Sequence, residues 1–350
     1  MTARFLSMRL VAVLGGLLGF SSAVRAEVTV TWKDLPGEYA SEIDAFLDLA
    51  RTELPRVLQD QRNLARGMAN ANAFASQAAT LQGYQGYSLV GVMGGLMVGA
   101  QLPSFSPAYL LKVVDKIEQD LDVYAGVGVG MALNVGINAG AFGVKIFGRD
   151  LYFNVKFLTF SPPKMAGLDA QFVTLGLGAN LQVFESLGLL GGLARWRGLS
   201  VGTGLLMNHN DARMELDKGL PADVIHTDNL HLAPGSTLGV DATVVTIPLD
   251  VTTAVQLFYL LNLNLGLGMD FNLGHGDVVV ALPIRVNDPA GREVGSLSID
   301  ASTRGVSPSP VRLRLSTGFG LNLGPVKIDV PLTWYLTCGV SAGISLGAVW

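Results

Sequence analysis

The chain has 350 residues, of which 49% are hydrophobic and only 15% charged, with 43 glycines and a net charge of -4. A soluble domain usually carries about 25% charged residues, and a mildly acidic chain gives no footing for nucleic acid. Mean hydropathy is +0.41, yet past the N-terminus no apolar run reaches the roughly 18 residues of a spanning helix, which points away from a helical membrane protein and towards a barrel-type pattern.

The first 26 residues form a predicted secretory signal. Arg4 and Arg9 precede the apolar stretch Leu10–Phe20, and Val24-Arg25-Ala26 sets small residues for a cut before Glu27. The only cysteine is Cys338, so neither an intrachain disulfide nor a lipid-modified N-terminal cysteine is possible.

Residues 27–84 are rich in Ala, Glu, Arg and Gln. Ile43, Phe46, Leu47, Ala50 and Leu54 recur at helical spacing, and Pro55 ends or kinks that helix. A second helical stretch is expected over about 59–82, with few bulky apolar residues. Such helices are marginal alone and need a surface to dock on.

From Tyr87 onward the period changes to two. Predicted strands are 87–101, 122–137, 141–148, 151–160, 171–184, 198–208, 236–247, 254–272, 277–286, 294–302, 310–323, 325–335 and 338–350. In 261–273 the residues Leu261, Leu263, Leu265, Leu267, Met269, Phe271 and Leu273 share one parity, against Asn262, Asn264, Gly266, Gly268, Asp270 and Asn272. Soluble strands run about five or six residues; these are longer, and the chain ends on the aromatic Trp350. In hydrocarbon every backbone N–H and C=O needs an internal partner, so the sheet must close.

The expected fold is all-β, a transmembrane antiparallel β-barrel of 14 strands (12 as the alternative) with an N-terminal α-helical plug. The expected divisions are a signal peptide 1–26, a helical plug or hatch 27–84 and an outer-membrane barrel 85–350. Ser106–Gln119 is an expected amphipathic helix. Segment 209–235 is an expected polar outer loop, and Gly324-Pro325 and Gly148–Asp150 are tight turns. Small inward side chains leave room in so wide a ring, which the plug or water must fill. A periplasmic domain is the other fate for 27–84.

The junction "RNLARGMANANAFASQAATLQGYQGYSLVGVMGGLMVGAQ" (62–101) resembles the start of the FadL-like family of long-chain fatty-acid transporters, as does "LARWRGLSVGTGL" (193–205) in its strand pattern. Near the hatch this chain has Asn70-Ala71-Asn72-Ala73 and lacks an Asn-Pro-Ala. The resemblance implies a 14-stranded barrel that passes hydrophobic molecules, with a kinked strand opening sideways to lipid.

Lumen-facing charges are expected at Asp241, Asp270, Lys327, Asp329 and Lys156, which pair with one another or with the plug. Arg312 and Arg314 are candidates for an anionic head group, which a guanidinium binds bidentately. Phe74 or Tyr84 on the plug would receive an apolar tail. His226, Asp228 and His231 in "HTDNLH" read as a solvated loop rather than a metal site, His275 in "LGHGD" as a turn, and "GVGVG" (126–130) as thin lumen wall. No enzymatic constellation stands out, and no cofactor or metal is expected.

The function expected from these features is uptake of hydrophobic, fatty-acid-like molecules through a plugged channel in the bacterial outer membrane. The alternatives are a surface-exposed adhesin or binding protein on a barrel platform, or a small general porin. Expected partners are the lipid bilayer and the barrel-assembly machinery.

Overall fold

The structure is a computed structural model that describes residues 25–33, 61–81, 87–102, 126–164, 167–189, 193–216, 226–227, 230–234, 236–287, 293–336 and 339–350. The signal segment up to residue 24, the predicted helices over 43–54 and Ser106–Gln119, Tyr84, Asp228 and Cys338 lie outside these residues.

In chain order the elements are β1 (Arg25–Lys33), helix α1 (61–75), β2 (Val90–Gln101), β3 (Gly126–Asn138), β4 (Lys145–Ile146), β5 (Arg149–Phe160), β6 (Leu168–Phe184), β7 (Leu187–Leu189) and β8 (Ala194–Leu216). Then follow β9 (His226–Thr227), β10 (Leu230–Pro234), β11 (Ser236–Leu257), β12 (Leu261–Asn287), β13 (Glu293–Val306), β14 (Val311–Leu323), β15 (Val326–Tyr335) and β16 (Gly339–Val349).

The strands β12-β11-β8-β6-β5-β3-β2-β16-β15-β14 form a run of antiparallel neighbours, and β14 pairs back onto β12, closing a ring of ten. Closure removes the open edge that lipid does not tolerate. The expected 14 or 12 strands are corrected to ten. Segments 254–272 and 277–286 are largely one strand, β12; 141–148 contains only the two-residue β4; and 294–302 lies in β13, which stands on the rim outside the ring.

The chain enters the ring at Val90 and leaves it at Trp350 on the same side, where Leu89 N–H donates to the Trp350 carbonyl at 2.7 Å. Tight turns occupy this end. One is the three-residue loop 258–260 joining β11 to β12: Phe258 and Tyr259 have positive φ (52° and 60°), and Leu260 N–H donates to the Leu257 carbonyl at 3.0 Å. Phe147, Phe184, Phe258, Tyr259 and Trp350 are all exposed around it, as an aromatic girdle requires.

In the closed ring the outer face is apolar and bare. Leu263, Leu265, Leu267, Leu313, Phe319 and Leu346 are exposed, while Asn262, Asp270, Asn272 and Ser345 are buried inside. The alternation of 261–273 therefore has the expected sense.

At the opposite end the wall keeps climbing. β12 pairs with β14 only from Leu261 to Phe271; from Gly276 to Asn287 its partner is β13. β1 adds to the far side of β13, Arg25 opposite Arg304 and Lys33 opposite Ser296. Residues 27–33, expected within a helical segment, are thus part of a strand. The expected outer loop 209–235 is also largely strand, because β8 runs on to Leu216 and β9–β10 form a short hairpin against β12.

Candidate functional site

Helix α1 and the turn after it (76–81) run through the ring. Ala65, Ala69, Ala71, Ala73, Phe74, Ala75, Ala78, Ala79 and Leu81 are all at most 2% exposed. A helix wrapped on every side needs small or apolar residues on every face, and this one carries alanine where a surface helix would carry charge. At its upper end Thr303 Oγ1 donates to Gln61 Oε1, at 3.3 Å, and Ser309 N–H to Asn70 Oδ1, at 2.8 Å. At its lower end Asn180 Nδ2 donates to the Leu81 carbonyl, at 3.2 Å. The segment therefore crosses from the rim end to the turn end.

Three glycines of β3 seat the helix. A side chain on Gly126 would strike the backbone of Gly67 and Met68, one on Gly128 that of Ala71 and Asn72, and one on Gly130 that of Ala75. Each step of two strand residues, about 6.6 Å, matches a step of four helix residues, about 6 Å. Strand and helix run side by side in register. The "GVGVG" glycines do form thin wall, and the reason is backbone-to-backbone approach.

Lumen asparagines grip the plug. Asn72 Nδ2 donates to the carbonyls of Asn208 (2.9 Å) and Ala242 (2.7 Å), and Asn208 Nδ2 donates to Asn72 Oδ1 (2.6 Å). Thr174 Oγ1 in turn donates to Asn208 Oδ1 at 2.8 Å. Where the helix has ended, Asn134 Nδ2 satisfies the Ala79 carbonyl at 2.8 Å. Lys156 Nζ reaches Thr80 Oγ1 at 2.6 Å. Backbone groups buried outside regular structure need such partners.

The structure brings Arg312 and Phe74 together: the guanidinium carbon lies 5.6 Å from the ring centroid, within cation–π range. The same guanidinium donates to Ser309 Oγ at 2.7 Å. Phe74 stacks on Tyr335 from the wall, with centroids 3.8 Å apart. The sequence reading of Tyr335 as part of an interfacial girdle beside Trp334 is corrected: Tyr335 is fully buried, in keeping with its inward parity in β15. Arg314 does not join Phe74. It bonds to Asp250 and, through Nε, to Asp270 Oδ1 at 3.0 Å, a buried triad. Asp250 was the missed member. Lys327 donates to Asn322 Oδ1 at 2.6 Å, and both are buried, as is Asp329.

Asp241 is not a lumen charge. Its neighbours Val240 and Ala242 are buried inside, and Asp241 sits on the outer face, 3.5 Å from His209 Nδ1. It stands opposite Asp211 on β8 and Asp277 on β12, while Thr243 stands opposite His209 and His275. Among the described residues no group of three His, Cys, Asp or Glu side chains is placed to hold a metal ion.

A cavity of about 50 Å³ remains between the end of the plug and the β12–β14–β15–β16 side of the wall.

No curated protein matches the chain. Solved structures that it resembles include the translocator domain of the autotransporter NalP from Neisseria meningitidis, at 12% identity and a TM-score of 0.31, covering 75% of this chain and 89% of that one. The CymD monoaromatic hydrocarbon channel is 12% identical at a TM-score of 0.28, covering 81% and 98%. A FadL homologue from Pseudomonas aeruginosa is 8% identical at 0.24, covering 80% and 97%. At these values the likenesses carry no argument about what this barrel does. A family described as Lsa36-like matches residues 23–350, and the chain belongs to that family.

Proposed function

We propose that the protein spans the outer membrane as a sealed barrel and serves as a surface platform, holding a raised sheet outside the cell for a macromolecular partner. The observation that carries this reading is the course of the N-terminal segment. The helix fills the lumen, and the chain before it lies at the rim end as β1, paired along β13. With the tight turns facing the periplasm, β1 and the upper parts of β8, β11, β12 and β13 stand outside. Asparagine–carbonyl bonds and glycine contacts along the plug oppose its withdrawal.

The test uses single cysteines in a Cys338→Ser background. Thr31→Cys on the exposed face of β1 is expected to react with a membrane-impermeant maleimide on intact cells, and Lys145→Cys at the turn end only after permeabilisation. Planar bilayers holding the purified protein are expected to show no steady conductance. The opposite labelling pattern, or a large open current, overturns the reading.

A second reading, uptake of hydrophobic small molecules, is favoured by two interruptions in the wall. Pairing of β15 with β16 lapses between Asp329–Ser345 and Leu332–Ala342, around Pro331 and Gly343. Pairing of β8 with β11 lapses around Gly204 and Pro248. Proline removes a ladder hydrogen bond, and on this reading a guest would leave the lumen sideways through one of these two unpaired stretches. An anionic head group would then meet Arg312 in place of its present contacts with Ser309 and Phe74. Labelled fatty acid or hydrocarbon entering reconstituted vesicles no faster than empty vesicles would remove this reading.

A further inference from the structure

The two ends of the ring show different chemistry to their surroundings. At the rim end the strands finish in charge: Asp169, Arg213 and Glu215 are exposed, and Lys164 pairs with Asp169. At the turn end every connection exposes a bulky apolar residue. Phe147 lies between β3 and β5, Leu187 between β6 and β8, Phe258 and Tyr259 between β11 and β12, and Leu323 at the β14–β15 turn. Trp350 completes the circle where β16 ends beside β2.

Local conformation does not ask for these residues. Phe147 and Gly148 form a two-residue turn with both φ positive (50° and 74°), and Phe258 and Tyr259 share that left-handed region. Asparagine and glycine suit such positions, and bulky side chains are outliers there. Phe147 is 95% exposed, against 48% for Phe153 on the wall, so it gains almost no packing from the chain itself.

The height of the wall says what surrounds these tips. On β12 the outward apolar row runs from Leu261 to Leu273. At about 3.4 Å per residue and a tilt of about 40° this row stands about 31 Å tall, against a lipid-facing band of about 25 Å. His275 and Asp277 close the row towards the rim, so the surplus falls at the turn end. The tips, beyond Leu261, stand past the hydrocarbon and among headgroups.

We propose that the turn end is a lipid-docking surface, whose apolar tips enter the headgroup zone of the leaflet on that side and fix the height of the barrel in the bilayer. The turns themselves, and not only the wall above them, are held in lipid. The tips occupy the whole circumference, and a leaflet surrounds a barrel where a protein partner covers one side of it. Tyr259 and Trp350 suit the zone, since each has an apolar ring and one polar hydrogen for a headgroup. The lipid needs no net charge: Lys145 and Arg149, beside Phe147, are paired with Asp150 at 3.2 Å and Glu185 at 3.0 Å. The surface is independent of what the rim binds and of which side of the membrane the rim faces.

The test attaches a bimane fluorophore at Phe147→Cys in a Cys338→Ser background. The full chain is folded into phosphatidylcholine vesicles in which some lipids carry a nitroxide on the headgroup or high on the acyl chain. Quenching by these lipids is expected at 147, and none at Glu215→Cys on the rim. A second measurement needs no label. Asparagine fits the left-handed backbone better than phenylalanine, so in water Phe147→Asn would leave the turn unharmed or firmer. In lipid the anchor is lost, and the folding constant in the same vesicles, read by urea titration, is expected to fall about fivefold or more. A fluorophore at 147 that escapes both nitroxides, as it would in water or under a soluble protein, overturns the proposal. So does an unchanged or raised folding constant in Phe147→Asn.

Discussion

The ring of Phe74, carried by the helix in the lumen, lies almost flat on the ring of Tyr335 in the wall, at 3.8 Å and 21°. Both are fully buried, and the Arg312 guanidinium carbon lies 5.6 Å from the Phe74 ring centroid. The stack ties plug to barrel at the level where β14 joins β12. Truncating Phe74 to Ala empties that contact, and loss of a buried aromatic of this kind costs about 3–5 kcal/mol. Urea unfolding of the folded protein in micelles is expected to show that loss. A change below about 1 kcal/mol would mean that the plug does not rest on this contact.

Asn72 and Asn208 exchange side-chain and backbone bonds across the lumen. Replacing either with Val strands the polar groups of the other, at a cost of about 1–3 kcal/mol. In the double variant the penalties should overlap, with a coupling of about 0.5–3 kcal/mol in a double-mutant cycle. Strict additivity would show that the two residues do not meet.

Gly130 has no room for a side chain, because the backbone of Ala75 occupies that space. Gly130→Val is expected to displace the helix from β3 and destabilise the protein by about 1–3 kcal/mol or more. It should also make a cysteine at Ala75 reactive in a Cys338→Ser background. Gly188→Ala, where nothing lies within 4 Å of the added carbon, is the matched control and should change neither readout.

Leu267 is 64% exposed on the outer face of the ring. Arginine there meets hydrocarbon, and Leu267→Arg should cost about 2–4 kcal/mol in folding into lipid vesicles. Thr243→Arg lies in the row with His209 and His275, above the apolar band, where the cost should fall to about 0–1 kcal/mol. Equal penalties at the two positions would place the band elsewhere.

The closed, outward-greasy wall was legible in the sequence because the leucines from Leu261 to Leu273 hold one parity without a break. The error at Asp241 has a physical cause. Parity is kept along β11, but its meaning reverses where the strand leaves the band. Leu249 and Val251 face outward, whereas Val240, Ala242 and Val244 face inward onto the plug. Above the band water is outside and the helix is inside, so the apolar side changes over. One rule applied to the whole strand therefore put Asp241 in the lumen. The same blindness inflated the strand count, since 277–286 continues β12 and 294–302 decorates the rim. The Arg314 triad was half legible. The inward parity marked Arg314 and Asp270, but only register shows that Asp250, opposite Gly268, lies beside them.

The passage of the N-terminal segment along the whole lumen has a consequence for biogenesis. A finished ring of ten strands has no seam through which a helix gripped by Asn72, Phe74 and the β3 glycines could later be drawn, with β1 already clipped to the rim. The wall must be laid down around its own axle. The joint between β2 and β16, which unites the first and last strands of the ring, is then the last to shut, once the leading segment has crossed to the far side.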